Sequence, residues 1–458
     1  MGAERRVVVT GIGVVSPIGV GTRAFWSACL EDRTAVEPVP ADWRRFADLS
    51  SGVWAPLPEV RYPVKQISRI EAKQLDPVSL NSLLAAFEAF EDAGMAPSLA
   101  DEKHLTYRVD GLEPHRTGVF MGTGVGGIHT VGTSYAHQMG DFIARGLARL
   151  EDALDRPSAD IADAVSQIRS GLVFPKRFNP FTVSMLMPNA PAANIAIKLS
   201  LTGPNLTFPL ACASGTAAVG HAFRAVARGD ADVAVAGGAE YLFDAYGTIF
   251  RAFDAVKTLV HGYDSKEAAN RPFDTRRSGF LFSQGGAAVL ILESLERARA
   301  RGALPVAEVL AYQETCDARS IMMMDPSATE IERMLRMLLG NARVAPEAVD
   351  YINAHGTGTT LNDATEAEVI ERVFPKTVAV NSTKALVGHT MGAAGAIEAA
   401  VTALSLKHQA THGNPNLKEP LSDLGFVRQA GPLGMEVALS QSFAFGGHNT
   451  GLLMKRFT

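Results

Sequence analysis

Three residues in this 458-residue chain stand where their types and surroundings could do chemistry: Cys212, His355 and His389. Cys212 lies in Phe208-Pro209-Leu210-Ala211-Cys212-Ala213-Ser214-Gly215-Thr216-Ala217-Ala218. An extended apolar run from Leu206 to Leu210 meets a turn of small residues. A helical stretch from about Gly215 to Arg228 then follows, with Val219, Ala222, Phe223 and Val226 on one side. A thiol at such a helix N-terminus meets unpaired amide N–H groups and the positive end of the helix dipole, which favour thiolate and a lowered pKa. The small neighbours Ala211, Ala213, Ser214 and Gly215 leave a substrate carbonyl room to approach. The bland alternative is a small buried core cysteine.

His355 sits in Asn353-Ala354-His355-Gly356-Thr357-Gly358-Thr359, and His389 in Val387-Gly388-His389-Thr390-Met391-Gly392. Each follows a strand-like run and is surrounded by glycine, alanine and threonine. A lone loop histidine is usually structural or merely solvated. Two at equivalent places in repeated units, beside a cysteine, point to a Cys-His-His site in which a thiolate attacks and N–H donors stabilise oxyanion and enolate charge. Lys384, five residues before His389, needs an acid if it is buried. Glu366, eleven residues after His355, is the candidate, with Asp363 one turn earlier; the alternative is an exposed helix-end lysine. Ser442-Phe443-Ala444-Phe445-Gly446-Gly447-His448-Asn449 is a glycine turn with two aromatics, a weak signal alone.

The elements that must position these residues read as a duplicated α/β body. Val7–Val15 is a buried strand, and a helix is expected over Pro77 to Gly94. A strand over Thr117–Gly124 runs into glycines, and an amphipathic, charge-richer stretch at 138–175 reads as an inserted helical pair. After the cysteine unit come strands at Asp232–Gly238 and Gly286–Leu292. Ala307–Ala311 opens a second half, in which Val349–Gly358 parallels the unit around Val119. There Val378–Thr383, with the helical stretch Gly392 to Leu406, parallels the cysteine unit. Residues 1–303 and 304–458 are therefore expected to be two halves of one compact body with no linker between them.

Composition excludes several classes. A net charge of −5 gives no reason to expect a nucleic-acid partner or an anionic membrane surface. Three cysteines, Cys29, Cys212 and Cys316, make no disulfide framework and suit a reducing cytoplasm. The segment Met1–Arg6 runs directly into a strand without a secretory h-region, and no run of about 18 apolar residues suggests membrane insertion.

Together, Val8–Gly13, Gly237-Gly238-Ala239-Glu240, Arg271-Pro272-Phe273-Asp274, the cysteine unit, both histidine motifs and Phe445-Gly446-Gly447 resemble the β-ketoacyl-acyl carrier protein synthases, nearest the synthase II branch. The resemblance covers nearly the whole chain. It implies a thiolase-like fold, duplicated βαβαβ halves in five αβαβα layers, and a decarboxylative Claisen condensation. Cys212 would take an acyl group from the carrier protein's phosphopantetheine, and His355 and His389 would assist loss of carbon dioxide from malonyl-carrier protein. Phe445 would be the gate and, with Cys212, would supply the oxyanion-hole N–H groups. Lys384 with Glu366 would form the family's ion pair. Thr357 and Thr359 would bind pantetheine, Phe253 would lie near the acyl channel, residues near Val125 from one subunit would help close the acyl pocket of the other, and Arg69, Lys73 and Lys257 would meet the carrier protein. No metal or resident cofactor is implied, because the phosphopantetheine arrives on the acyl carrier protein. A homodimer is expected, with a heterodimer with a chain-length-factor-like paralogue as the alternative.

Departures from the pattern suggest a specialised enzyme. Gln284 stands where an acid is usual, His448 where threonine is usual, and Ala444 replaces a hinge glycine, which would stiffen the gate. Two other readings compete. A thiolase needs a second cysteine in a Cys-x-Gly setting, which Cys316 does not supply. A non-catalytic chain-length-factor-like partner would typically have lost the nucleophile.

Overall fold

A computed structural model describes residues 5–154, 158–172 and 177–458. Met1–Glu4, and parts of the expected helical pair at 155–157 and 173–175, lie outside the described residues. Ten strands build the frame. They are β1 (Val7–Ser16), β2 (Thr117–Gly122), β3 (Asn205–Phe208), β4 (Val233–Tyr241) and β5 (Gly285–Ser294), then β6 (Ala307–Cys316), β7 (Tyr351–Asn353), β8 (Ala379–Asn381), β9 (Val437–Ala444) and β10 (His448–Arg456).

Their spatial order is β3-β2-β4-β5-β1-β6-β10-β9-β7-β8. Two short strands, Gly19–Val20 and Gly425–Phe426, complete a 12-stranded sheet. The order is a repeat read outward from the middle. In each half the third strand pairs parallel with the second, the second parallel with the fourth, the fourth antiparallel with the fifth, and the fifth antiparallel with the first. The first strands of the two halves, β1 and β6, join the halves through Val7↔Val309 to Val9↔Ala307.

Helices complete five layers. Helices α1 (Pro77–Asp92) and α4 (Ala190–Leu199) cover the outer face of the first half. Helix α6 (Thr329–Ala342) covers β6 and β10 of the second, beside α7 (Thr360–Val373). Between the halves lie α5 (Ser214–Arg228) and α8 (Ala394–His408), packed on each other and on strands of both. Helix α8 is buried from Ala394 to Leu406, so Ile397, Val401, Leu404 and Leu406 each contribute roughly 1.5–3 kcal/mol of apolar burial. This is the thiolase-like α/β architecture.

The expected inserted pair is present as α2 (Ile128–Ala153) and α3 (Ala159–Gly171), but α2 starts ten residues before the expected 138. Its first turns are disguised by Gly126, Gly127 and Gly132. A tertiary contact fixes them instead: buried Asp76, the N-cap of α1, accepts Val78 N–H (3.0 Å) and also Thr130 N–H (3.0 Å) and Oγ1–H (2.6 Å).

Candidate active site

Strand β3 ends at Phe208, and the chain reverses through Ala211, a non-glycine residue at φ 48°, before Cys212 and α5. Ser214 pins this elbow. Its hydroxyl accepts Leu210 N–H (2.9 Å) and lies 2.6 Å from the Ala211 carbonyl, to which it donates. The second half repeats the device. Met391 has φ 49° at the entrance to α8, so the turn Met391–Ala393 matches Ala211–Ala213. The small residues here serve packing as well as access: a Cβ at Gly215 would lie 2.5 Å from Ala396 N, where α5 and α8 cross.

These turns bring the three predicted groups together. His389 Nε2 lies 3.1 Å from Cys212 Sγ. The His355 and His389 rings meet edge to face at 5.6 Å. Cys212, His355 and His389 are all buried. The tautomers follow from the other ring nitrogens. Met391 N–H donates to His389 Nδ1 (3.2 Å), and Lys384 Nζ–H donates to His355 Nδ1 (3.2 Å). Both Nδ1 atoms are acceptors, so both neutral rings carry their hydrogen on Nε2. Burial first, and then the positive charge of Lys384, hold both histidines well below the usual imidazole range. The result is a pair of uncharged N–H donors, with that of His389 aimed at the sulfur.

The expectation of a lowered Cys212 pKa is reversed. Burial pushes the thiol up to about 12, and the opposing influences, Lys384 and the Cys212 N–H, do not offset it. We therefore expect alkylation of Cys212 by iodoacetamide, followed on its own peptide, to accelerate roughly tenfold per pH unit between about pH 6 and about pH 9. A plateau in that interval would show that the helix terminus and His389 outweigh burial.

The ion pair expected between Lys384 and Glu366 is also corrected. Lys384 Nζ pairs with Glu398 on α8 and donates to the His355 carbonyl (2.6 Å). Glu366 instead accepts the N–H groups of His355 (2.6 Å) and Gly356 (2.7 Å) and the Gln441 amide (2.7 Å), with burial raising its carboxyl to about 7. Lys384 thus bonds the His355 carbonyl and Glu366 the His355 N–H, so the two hold different backbone groups of that loop. Asp363, the other acid of that stretch, accepts Phe273 N–H (2.7 Å) and Gly358 N–H. Glu398 was missed. Its signal was a single acid in the otherwise small and apolar run Ala394–Ala403. Ser442 Oγ bridges Glu398 (3.3 Å) to Thr216 Oγ1 (2.8 Å) on the cysteine helix.

The remaining candidates divide by position. Thr357 and Thr359 hydroxyls meet at 2.8 Å in the loop after β7. Phe253 stacks edge-on to Phe280 (5.3 Å), whose ring meets His389 at 5.4 Å, and both belong to the apolar cluster that includes Cys212. Phe445 is exposed at the β9–β10 turn. The left-handed angles of that turn fall on Gly446 (φ 88°) and Gly447 (φ 77°), while Ala444 sits in the strand opposite His448. Ala444 therefore occupies no glycine-only angle in this conformation. Gln284 Oε1 accepts Leu57 N–H (3.0 Å). Val125, Arg69, Lys73 and Lys257 are exposed.

Residues 4–298 match the model of the beta-ketoacyl synthase N-terminal domain, and residues 306–418 that of the beta-ketoacyl synthase C-terminal domain. The chain belongs to the beta-ketoacyl synthase family. It is 33% identical to the 3-oxoacyl-[acyl-carrier-protein] synthase 2 of Coxiella burnetii, over 99% of both chains. A beta-ketoacyl synthase from Burkholderia phymatum superposes with a TM-score of 0.80 at 29% identity, covering 99% of this chain and 100% of that one. The AntDE:AntF complex, a type II polyketide acyl-carrier protein with its ketosynthase bound to the hexaketide, gives 0.76 at 26% identity, covering 99% and 100%. Among the described residues no helix is long and apolar enough to cross a membrane.

Proposed function

We propose that this synthase condenses an acyl thioester with malonyl-acyl carrier protein, releasing carbon dioxide and giving a β-ketoacyl-acyl carrier protein in fatty acid or polyketide biosynthesis. The observation that carries this reading is one Nε2–H donor, that of His389, on the buried Cys212 thiol, with the His355 ring edge to face against His389. Cys212 sulfur attacks the acyl carbonyl of the first carrier thioester, and its proton leaves with the departing pantetheine thiol. The exchange of one thioester for another is proton-neutral, so a high resting thiol pKa is compatible with it.

Acylation replaces the thiol hydrogen with an electron-withdrawing acyl group and weakens the sulfur as an acceptor. Both Nε2–H groups are then available to the thioester oxygen of malonyl-carrier protein. As the bond to the carboxylate breaks, carbon dioxide leaves and the electron pair passes into the enolate, held by His355 and His389. The enolate carbon attacks the acyl-Cys212 carbonyl. The N–H groups of Cys212 and Phe445 hold the resulting oxyanion, and collapse expels the Cys212 thiolate. Lys384 and Glu366 act through His355: the first fixes its tautomer, the second its backbone.

Thr357 and Thr359 present hydroxyls to pantetheine, Phe253 and Val125 bound the acyl chain, and Arg69, Lys73 and Lys257 meet the carrier protein. No resident cofactor is needed in this scheme. The protein works in the cytoplasm, with residues 1–303 and 304–458 as its two halves. His355→Ala and His389→Ala should each slow malonyl-carrier decarboxylation by on the order of 10²-fold or more. Full activity in both variants would remove the histidines from the mechanism.

A homodimer completes the assembly. Helix α2 exposes Val131, Tyr135, Met139 and Phe142, an apolar stripe three to four residues apart, and Leu206 is exposed on edge strand β3. Light scattering should give about twice the 48.7 kDa chain mass. An active monomer would exclude both the homodimer and the heterodimer with a chain-length-factor-like paralogue.

A further inference from the structure

Glu240, next to the last residue of β4, has its side chain fully buried, and the scheme above does not use it. Its carboxylate is a junction between three segments. Oε2 accepts Gly124 N–H (2.7 Å) and Gly392 N–H (3.0 Å), while Oε1 faces Val125 N–H (3.4 Å) and Thr123 Oγ1–H (3.3 Å). The surroundings are cut to fit it. A Cβ at Gly124 would lie 2.5 Å from Oε2, and one at Gly392 would lie 2.6 Å from Oε2 and 2.2 Å from Gly124 N. Burial raises this carboxyl to about 7 and the surrounding N–H donors pull it back, so donor geometry and ionisation favour each other.

The junction matters because of what Gly392 follows. Met391 holds a left-handed angle that a side chain adopts only when its neighbours enforce it, and Met391 N–H is the donor that fixes the His389 tautomer. Glu240 grips the very next amide. We propose that Glu240 is a positioning residue of the condensation, holding the Met391–Gly392 turn so that His389 keeps Nδ1 as acceptor and presents Nε2–H to Cys212 and then to the enolate. The same carboxylate ties this turn to Gly124 and Val125, so the acyl-channel loop and the decarboxylating donor share one anchor. The inference rests on the proposed role of His389 as a donor.

The test is made on the full-length protein labelled with ¹⁵N-histidine. Glu240→Leu leaves both pairs of donors without an acceptor, whereas Glu240→Gln keeps one acceptor oxygen. In the leucine variant the His389 nitrogen signals should move from a pure Nε2–H form to a mixture of tautomers. Its decarboxylation kcat should fall by about 10-fold or more with little change in KM, as for a misaligned rather than a missing group. Glu240→Gln should lie between parent and leucine variant in both readouts. Should the leucine variant not fold, the glutamine variant decides alone, with a partial tautomer shift expected. A parental rate together with a pure Nε2–H signal in the folded variants overturns the proposal. His389→Ala is the control: full decarboxylation there would sink the role of His389 itself, while the tautomer signal in the Glu240 variants still reports whether Glu240 sets it.

Discussion

Cys212→Ala should form no acyl-enzyme and make no β-ketoacyl product. Mass spectrometry of the intact protein after incubation with acyl-carrier protein would show no added acyl mass. Condensation should fall by on the order of 10⁴-fold or more, the scale on which losing a covalent nucleophile is felt. Malonyl-carrier decarboxylation should persist, because the substitution leaves Met391 N–H on His389 and Lys384 on His355. Removing the sulfur also releases the His389 Nε2–H that was engaged with it. An acyl adduct on the alanine variant would dismiss Cys212 as nucleophile. Loss of decarboxylation in step with condensation would mean that the sulfur, and not the histidine pair, drives release of carbon dioxide.

Lys384→Ala should act on stability and chemistry together. Nζ is the counter-charge of Glu398, with both side chains almost fully buried. Removing one partner of such a pair strands a buried charge, at about 3–5 kcal/mol. Burial already raises the Glu398 carboxyl, and without Lys384, which opposes that rise, it would go higher still. The linkage has a definite sign. A carboxyl whose folded pKa lies above its unfolded value binds more protons folded than unfolded. The variant should therefore be least impaired at low pH and lose stability as pH rises through the raised value. Chemically, His355 loses the donor on Nδ1 and its tautomer is no longer fixed. Lys384→Met combined with Glu398→Leu should recover the urea midpoint while decarboxylation stays low. An unchanged midpoint in Lys384→Ala would contradict the pair's importance, and recovered activity in the double variant would reduce Lys384 to a structural role.

Much of this was legible in the chain. Cys212, His355 and His389 could be found because each ends a short apolar run in a glycine- and alanine-rich turn, a local pattern. The repeat was legible for the same reason, since strand-then-turn units recur in order. What could not be read is set by helices crossing far from their sequence neighbours. Glu366 follows His355 closely along the chain, but α8 lies between the sheet halves and delivers Glu398 to Lys384. The thiol's pKa was misjudged because a helix terminus can be seen in sequence and the depth of its burial cannot. The start of α2 was hidden by glycines that lie at the Met185–Pro188 backbone, a contact with no trace in local periodicity.

The place of β1 has a bearing on how this protein is made. Val7 to Val15 leave the ribosome long before their ladder partners, Ala287 to Ser294 and Ala307 to Val309. Apart from its last two residues, which pair with Gly19–Val20, this central strand therefore lacks ladder partners until residue 287 and beyond are synthesised. Such long-range closure makes folding slow and leaves an apolar, β-branched segment open to wrong pairings in the meantime. A nascent chain stalled before residue 285 would display Cys212 without either histidine donor and β1 without its two flanking long strands, so assembly of the catalytic centre is a late event of synthesis and nascent chains of that length are natural clients for chaperones.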